Sequence, residues 1–139
     1  MKMEMTVKRL WFEDEKIFIE TEDGKVLWQS LLWYPRLKNA TEEERSAYRT
    51  NRFGIRWESI DEDVSFESFT YDQPEPQGIS RLFLTHPELN ASAVARRLGM
   101  KQSLLAQYIN GTKKPSLERE RLIVDEIRKI GRELSSVGV

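Results

Sequence analysis

Apolar positions change period along this chain. From Val7 to Phe12, Lys16 to Glu20 and Lys25 to Gln29 they fall in short runs rich in β-branched and aromatic residues, separated by polar clusters. Such runs predict strands, and their order predicts three antiparallel ones. Asp23-Gly24 between the second and third predicts a two-residue hairpin turn in which both central positions take positive φ. Thr41 followed by Glu44 is a capping box and predicts a helix start. That helix is expected to run to about Thr50, with Glu42 and Glu43 in the first turn matching the helix dipole. Ile55 to Trp57 and Val64 to Phe66 read as further short strands. The first half is thus an α+β unit, a small mixed sheet with one or two helices.

The second half repeats at helical spacing. Ile79 to Thr85 predicts a short helix ended by His86-Pro87. Asn90 is an N-cap for Ala91 to Leu98, and Gly99 stops that helix. A third helix runs from Gln102 to Ile109 and ends at Asn110-Gly111. Pro115-Ser116 opens a long last helix in which Ile123, Ile127, Ile130 and Leu134 form one apolar stripe. Ala95 sits where the second and third helices cross, since a small side chain permits close approach. Val94, Leu98, Met100, Leu105 and Ile109 form the seam between them. Gln102, Ser103, Ala106 and Gln107 then occupy the outer face of the third helix. Two helices joined by a short glycine turn is the helix-turn-helix plan.

Between the halves, Asp72 to Gly78 holds two prolines and a glycine, a short stiff linker. The expected division is an α+β domain at 1–72, a linker at 73–78 and an all-α domain at 79–139. Charge follows this division. Residues 1–77 hold 11 Lys+Arg against 17 Asp+Glu, a net of −6, and residues 78–139 hold 11 against 6, a net of +5. A basic half of this kind points toward nucleic acid.

Composition narrows the chemistry. The chain has no cysteine and one histidine, His86, so thiol catalysis, disulfides and multi-histidine metal sites are excluded. His86 at a helix end reads as a helix-terminal residue, not a catalyst. Asp61, Glu62 and Asp63 cluster, but on a strand only Asp61 and Asp63 share a face, too few oxygens for a magnesium or calcium site. No enzyme activity, metal or cofactor is expected. No run of apolar residues is long enough to span a membrane, and Met1 to Leu10 lacks the apolar segment of a secretory signal, so the expected location is the cytoplasm.

Two resemblances add to this reading. Tyr34-Pro35-Arg36-Leu37-Lys38-Asn39-Ala40-Thr41, then Glu44-Arg45, Tyr48, Gly54-Ile55-Arg56-Trp57 and Ile60 to Ser65 resemble a family of bacterial domains of unknown function. Some of its members carry a C-terminal helix-turn-helix and are suspected regulators or toxin–antitoxin partners. The run from Val94 to Gly111 is similar to the DNA-binding core of lambda-repressor-like helix-turn-helix proteins. Its Val-Ala pair, Gly-Met turn, Gln-Ser helix start and Asn-Gly stop carry the likeness. That resemblance implies that Gln102 and Ser103 read base edges and that Lys113 reaches the DNA. Two positions depart from the family: Ala91 stands where a glutamine often grips a phosphate, and Leu104 is bulky.

The side-chain chemistry agrees with DNA. Glutamine can bond adenine N6 and N7 together, which suits Gln102 and Gln107, and Ala106 can meet a thymine methyl. Arg96, Arg97, Lys101, Lys113 and Lys114 are candidate phosphate contacts. Trp28, Trp33 and Tyr34 are either core of the small sheet, which is thin in a domain of this size, or a candidate interface, since aromatics are enriched at subunit contacts. The expected function is a sequence-specific transcriptional regulator acting on double-stranded DNA as a homodimer, joined through the long last helix or the aromatic face of the first half. The alternative is an interaction module, antitoxin-like, whose first half binds a protein partner while the helix-turn-helix is structural.

Overall fold

A computed structural model describes residues 4–138; the outermost positions of the expected domains, 1–3 and 139, lie outside the described residues. Among the described residues the fold is mixed α/β, with two three-stranded sheets and six α-helices. The chain divides into two compact units, one ending at Pro76 and the other starting at Gln77. Within the stretch expected as a linker, the Pro74 carbonyl accepts from the Ser30 N–H at 2.7 Å and from Trp33 Nε1 at 3.2 Å.

In the first unit, β1 (Val7–Glu13), β2 (Lys16–Thr21) and β3 (Val26–Ser30) form one sheet in that order. After α1 (Pro35–Lys38) and α2 (Glu42–Ser46), strands β4 (Arg49–Thr50), β5 (Gly54–Trp57) and β6 (Glu62–Ser65) form the second. Every pairing is antiparallel. The expectation of one mixed sheet is therefore corrected to two antiparallel ones. The connections within each sheet are too short for the crossover a parallel pair needs.

Two local expectations also change. Three residues, Glu22 to Gly24, lie between the paired Thr21 and Lys25 at this turn, and of these Gly24 alone takes positive φ. The Thr21 N–H donates to the Lys25 carbonyl and the Gly24 N–H to the Thr21 carbonyl, both at 2.9 Å. This is a turn followed by a left-handed glycine, not the two-residue type. The two-residue hairpin lies instead between β1 and β2, where Asp14 and Glu15 take φ of 51° and 57°. The second change is at α2. Its start is as expected, with Thr41 and Glu44 capping each other reciprocally at 3.1 and 2.9 Å. It ends at Ser46, not near Thr50. The Trp57 indole N–H donates to the Arg45 carbonyl at 2.9 Å, the acceptor that a continuing helix would give to Arg49. Residues 49–50 pair with β5 instead.

Strand alternation sends Ile17 and Ile19 into a core completed by Leu31, Leu37, Trp57 and Phe66, all fully buried. Phe66 lies just past the end of β6 but contributes its ring to this core. A polar bridge runs beside it: Tyr34 donates to Gln29 Oε1 at 2.8 Å, and Gln29 Nε2 donates to Ser68 at 2.7 Å.

The second unit holds α3 (Ile79–Thr85), α4 (Ala91–Leu98), α5 (Gln102–Asn110) and α6 (Leu117–Ser135). Its core is built from Ile79, Phe83, Val94, Ala95, Leu105, Tyr108 and Ile123. The expected seam is present, with Leu98, Met100 and Ile109 packed against these residues. The apolar stripe of α6 stops at Ile130, because Leu134 is 68 % exposed. Tyr108 is buried although the seam did not include it, and the Ser80 hydroxyl donates to its carbonyl at 2.7 Å, tying α3 to α5. His86 ends α3 with Nδ1 2.9 Å from the Leu82 carbonyl. Among the described residues no helix is long and apolar enough to cross a membrane.

Candidate nucleic-acid interface

The turn between α4 and α5 is set by its backbone. Asn90 caps α4 by accepting from the Ala93 N–H at 3.0 Å. Gly99 ends the helix in the left-handed region at φ 65°, its N–H returning to the Ala95 and Arg96 carbonyls. The Met100 N–H then closes onto the Ala95 carbonyl at 3.0 Å. This paired closure absorbs the helix's last carbonyls and favours glycine, which carries no Cβ to clash there. Lys101 is extended, and α5 begins at the next residue.

The α5 period then sorts side chains by face. Leu105 and Tyr108 point inward and are buried; Gln102, Ser103, Ala106, Gln107 and Asn110 are exposed. The four base-reading candidates therefore share one open face. Leu104, which departs from the lambda-repressor-like pattern, packs against the core of the second unit.

The cations are placed unequally. Among the described residues, no carboxylate pairs with Arg96, Lys101, Lys113 or Lys114, and all four are exposed. The Lys113 N–H donates to the Gln107 carbonyl at 3.3 Å, which anchors that lysine at the C-terminal turn of α5. Arg97 differs. Its guanidinium meets Glu133 at 3.1 Å and Glu126 at 3.2 Å on α6. Glu133 and Glu126 raise the Arg97 pKa, and Arg97 holds the Glu133 carboxyl below its ordinary value. Arg97 thus braces α4 against α6. Nothing in the sequence signals this, since the partners lie 29 and 36 positions away.

The aromatic interface candidates also separate. Trp33 is half-buried with its indole bonded to Pro74, and the Tyr34 hydroxyl is spent on Gln29. Trp28 lies on the outer face of the first sheet, with Phe18 and Trp11 beside it. The sequence reading did not single out Trp11 and Phe18. Their signal is the alternation of β1 and β2, which becomes legible only with the strand register.

The acidic cluster is neutralised by arginine. Arg56 reaches Asp61 and Asp63, each at 2.8 Å, and Glu58 at 3.3 Å. Its hydrogen bond and charge hold the Asp61 and Glu58 carboxyls below their ordinary values. Among the described residues no group of three or more His, Asp or Glu is placed to hold a metal ion.

The segment from β1 through this cluster has a counterpart among known proteins. Residues 7–73 match a family described as Protein of unknown function (DUF2442). The DUF2442 match spans both sheets of the first unit and stops before α3, so α4 and α5 lie outside it. No curated protein and no solved structure matches the chain.

Proposed function

We propose that this chain is a non-catalytic, cytoplasmic DNA-binding transcriptional regulator in which α4, its turn and α5 act as a lambda-repressor-like helix-turn-helix. One observation carries the reading: the exposed face of α5 presents Gln102, Ser103, Ala106 and Gln107 together, bordered by cations that no carboxylate neutralises among the described residues. In this role α5 enters the major groove, where a glutamine can bond an adenine edge in bidentate fashion. Lys101, Lys113, Lys114 and Arg96 meet phosphates and set the register. Arg97 would have to leave Glu126 and Glu133 to join them. A single module reads few base pairs, so two copies on half-sites one helical turn apart complete the recognition.

Selection of bound sequences from a random duplex pool tests this. The expected result is a palindromic consensus. Gln102→Ala should then weaken cognate binding and leave random-sequence binding intact, a discrimination loss of about 1–3 kcal/mol for a bidentate contact. Replacing Lys113 and Lys114 by Ala should weaken both and flatten the salt dependence. No enrichment from the pool at low salt would overturn the reading.

A second reading is favoured by the half-exposed aromatics of the first sheet, Trp11, Phe18 and Trp28. In it the first unit is the partner-binding half of an antitoxin-like protein. A partner complex that survives substitution of the α5 face, together with no DNA binding, would support it.

A further inference from the structure

The outer face of the β1–β3 sheet is a grid of three rows. Alternation turns Ile17 and Ile19 inward and their neighbours outward. The cross-strand register places Trp11, Phe18 and Trp28 side by side in the middle row. The Trp11 and Phe18 rings stack with centroids 5.3 Å apart and planes 6° from parallel. On one side of this row stand Arg9, Glu20 and Val26; on the other stand Glu13, Lys16 and Ser30. The Arg9 guanidinium lies 4.2 Å from the Trp11 ring centre and the Lys16 ammonium 4.5 Å from that of Trp28. The three rings are half-buried, and Val26 is 53 % exposed.

We infer that this face is the surface on which a second copy of the chain docks, an inference that rests on the homodimer reading above and locates its interface. Charge decides the occupant. The grid carries two cations and two anions within a half whose net charge is −6, and Arg9 already pairs with Glu20 at 3.4 Å. A polyanion stacking its bases on the rings would meet no net positive field. A second copy meets a matched one. Consider a two-fold axis lying along the aromatic row, between two facing sheets. It sets Arg9 opposite the other copy's Glu13 and Glu20 opposite its Lys16, while each aromatic ring faces its own counterpart. A two-fold along the strands would instead set Lys16 against Lys16 and Glu20 against Glu20. Only the first arrangement is self-complementary, as an isologous contact must be. The usual 30° offset between packed sheets shifts the corners without exchanging these neighbours.

Sedimentation equilibrium on the full chain, across a concentration series, tests the assignment. Wild type should dimerise, with Trp emission shifting to the blue as Trp11 and Trp28 are covered. Phe18→Asp should weaken the dimer about tenfold or more, as loss of a central aromatic contact does. A variant carrying R9E, E13R, K16E and E20K together preserves the in-chain Arg9–Glu20 ion pair and the cross-copy charge pairs, with their signs exchanged, and gives up the cation contacts on Trp11 and Trp28. It should dimerise with itself and fail to pair with wild type, and it keeps the test decisive if Phe18→Asp does not fold. A monomer at every concentration would overturn both the homodimer reading and this interface. A dimer that mixes freely with the four-charge variant would overturn the interface alone. Quenching of Trp emission by a single-stranded oligonucleotide in a chain that does not self-associate would likewise overturn both.

Discussion

Tyr34 shows how a polar side chain can hold an apolar core in register. Its hydroxyl donates to Gln29, which is 3 % exposed, and Gln29 in turn donates to Ser68. Tyr34→Phe removes the donor and leaves the Gln29 carbonyl oxygen unpaired. The expected cost is about 1–3 kcal/mol, the penalty for orphaning a buried acceptor, measured by chemical denaturation. Burial also pushes the Tyr34 pKa up. A raised folded value means that the stability it contributes is full below the unfolded tyrosine value, about 10. That contribution is lost as pH rises through the raised value. The phenylalanine variant should lack this alkaline loss. Glu133 has the opposite sign. Arg97 depresses its pKa, so its contribution is full above the ordinary glutamate range and is lost as pH falls through the depressed value. Glu133→Gln should flatten the acid limb of the stability profile below about pH 4. An unchanged limb would mean that the exposed pair contributes nothing measurable, as many surface pairs do.

At the scale of elements, starts were easier to read than stops. The capping box of Thr41 and Glu44 is a four-residue signal, and α2 begins where it says. The end of α2 depends on the Trp57 indole, 12 positions away in sequence, which no local pattern reveals. Trp57→Phe keeps an aromatic ring at a fully buried site but strands the Arg45 carbonyl and leaves space where the larger ring was. We expect a loss of about 2 kcal/mol or more, read from the denaturation midpoint, with the first unit the part that loosens. Hairpins divide in the same way. Gly24 marked its turn, although the loop is one residue longer than expected. Asp14-Glu15 gave no glycine or asparagine cue, yet both residues take the left-handed conformation. The second unit was more legible because its stops are local: Gly99 and the face of α5 follow from spacing alone. The Arg97 brace and the aromatic row were not legible, since each depends on partners that only folding brings together.

At the scale of the molecule, the division into two units follows from composition and charge, and it has a consequence for DNA. If the second unit grips a duplex, the first carries a net charge of −6 (residues 1–77) tethered to a gripping half of +5 (residues 78–139). A like-charged tether opposes approach to a polyanion wherever screening is weak, and the Debye length stretches from about 10 Å at 0.1 M salt to about 30 Å at 0.01 M. A fragment of residues 77–139 has its own core. It should bind random-sequence duplex more tightly than the full chain at low salt, and the two should converge near physiological ionic strength. On the cognate palindrome the order should reverse if the β1–β3 face is the proposed pairing surface, because the fragment lacks it and so loses the gain of linked half-sites. Titrations of both proteins on both duplexes across a salt series separate the two effects. Repulsion by the acidic half shows as a gap that closes with salt. Loss of pairing shows as a gap that persists.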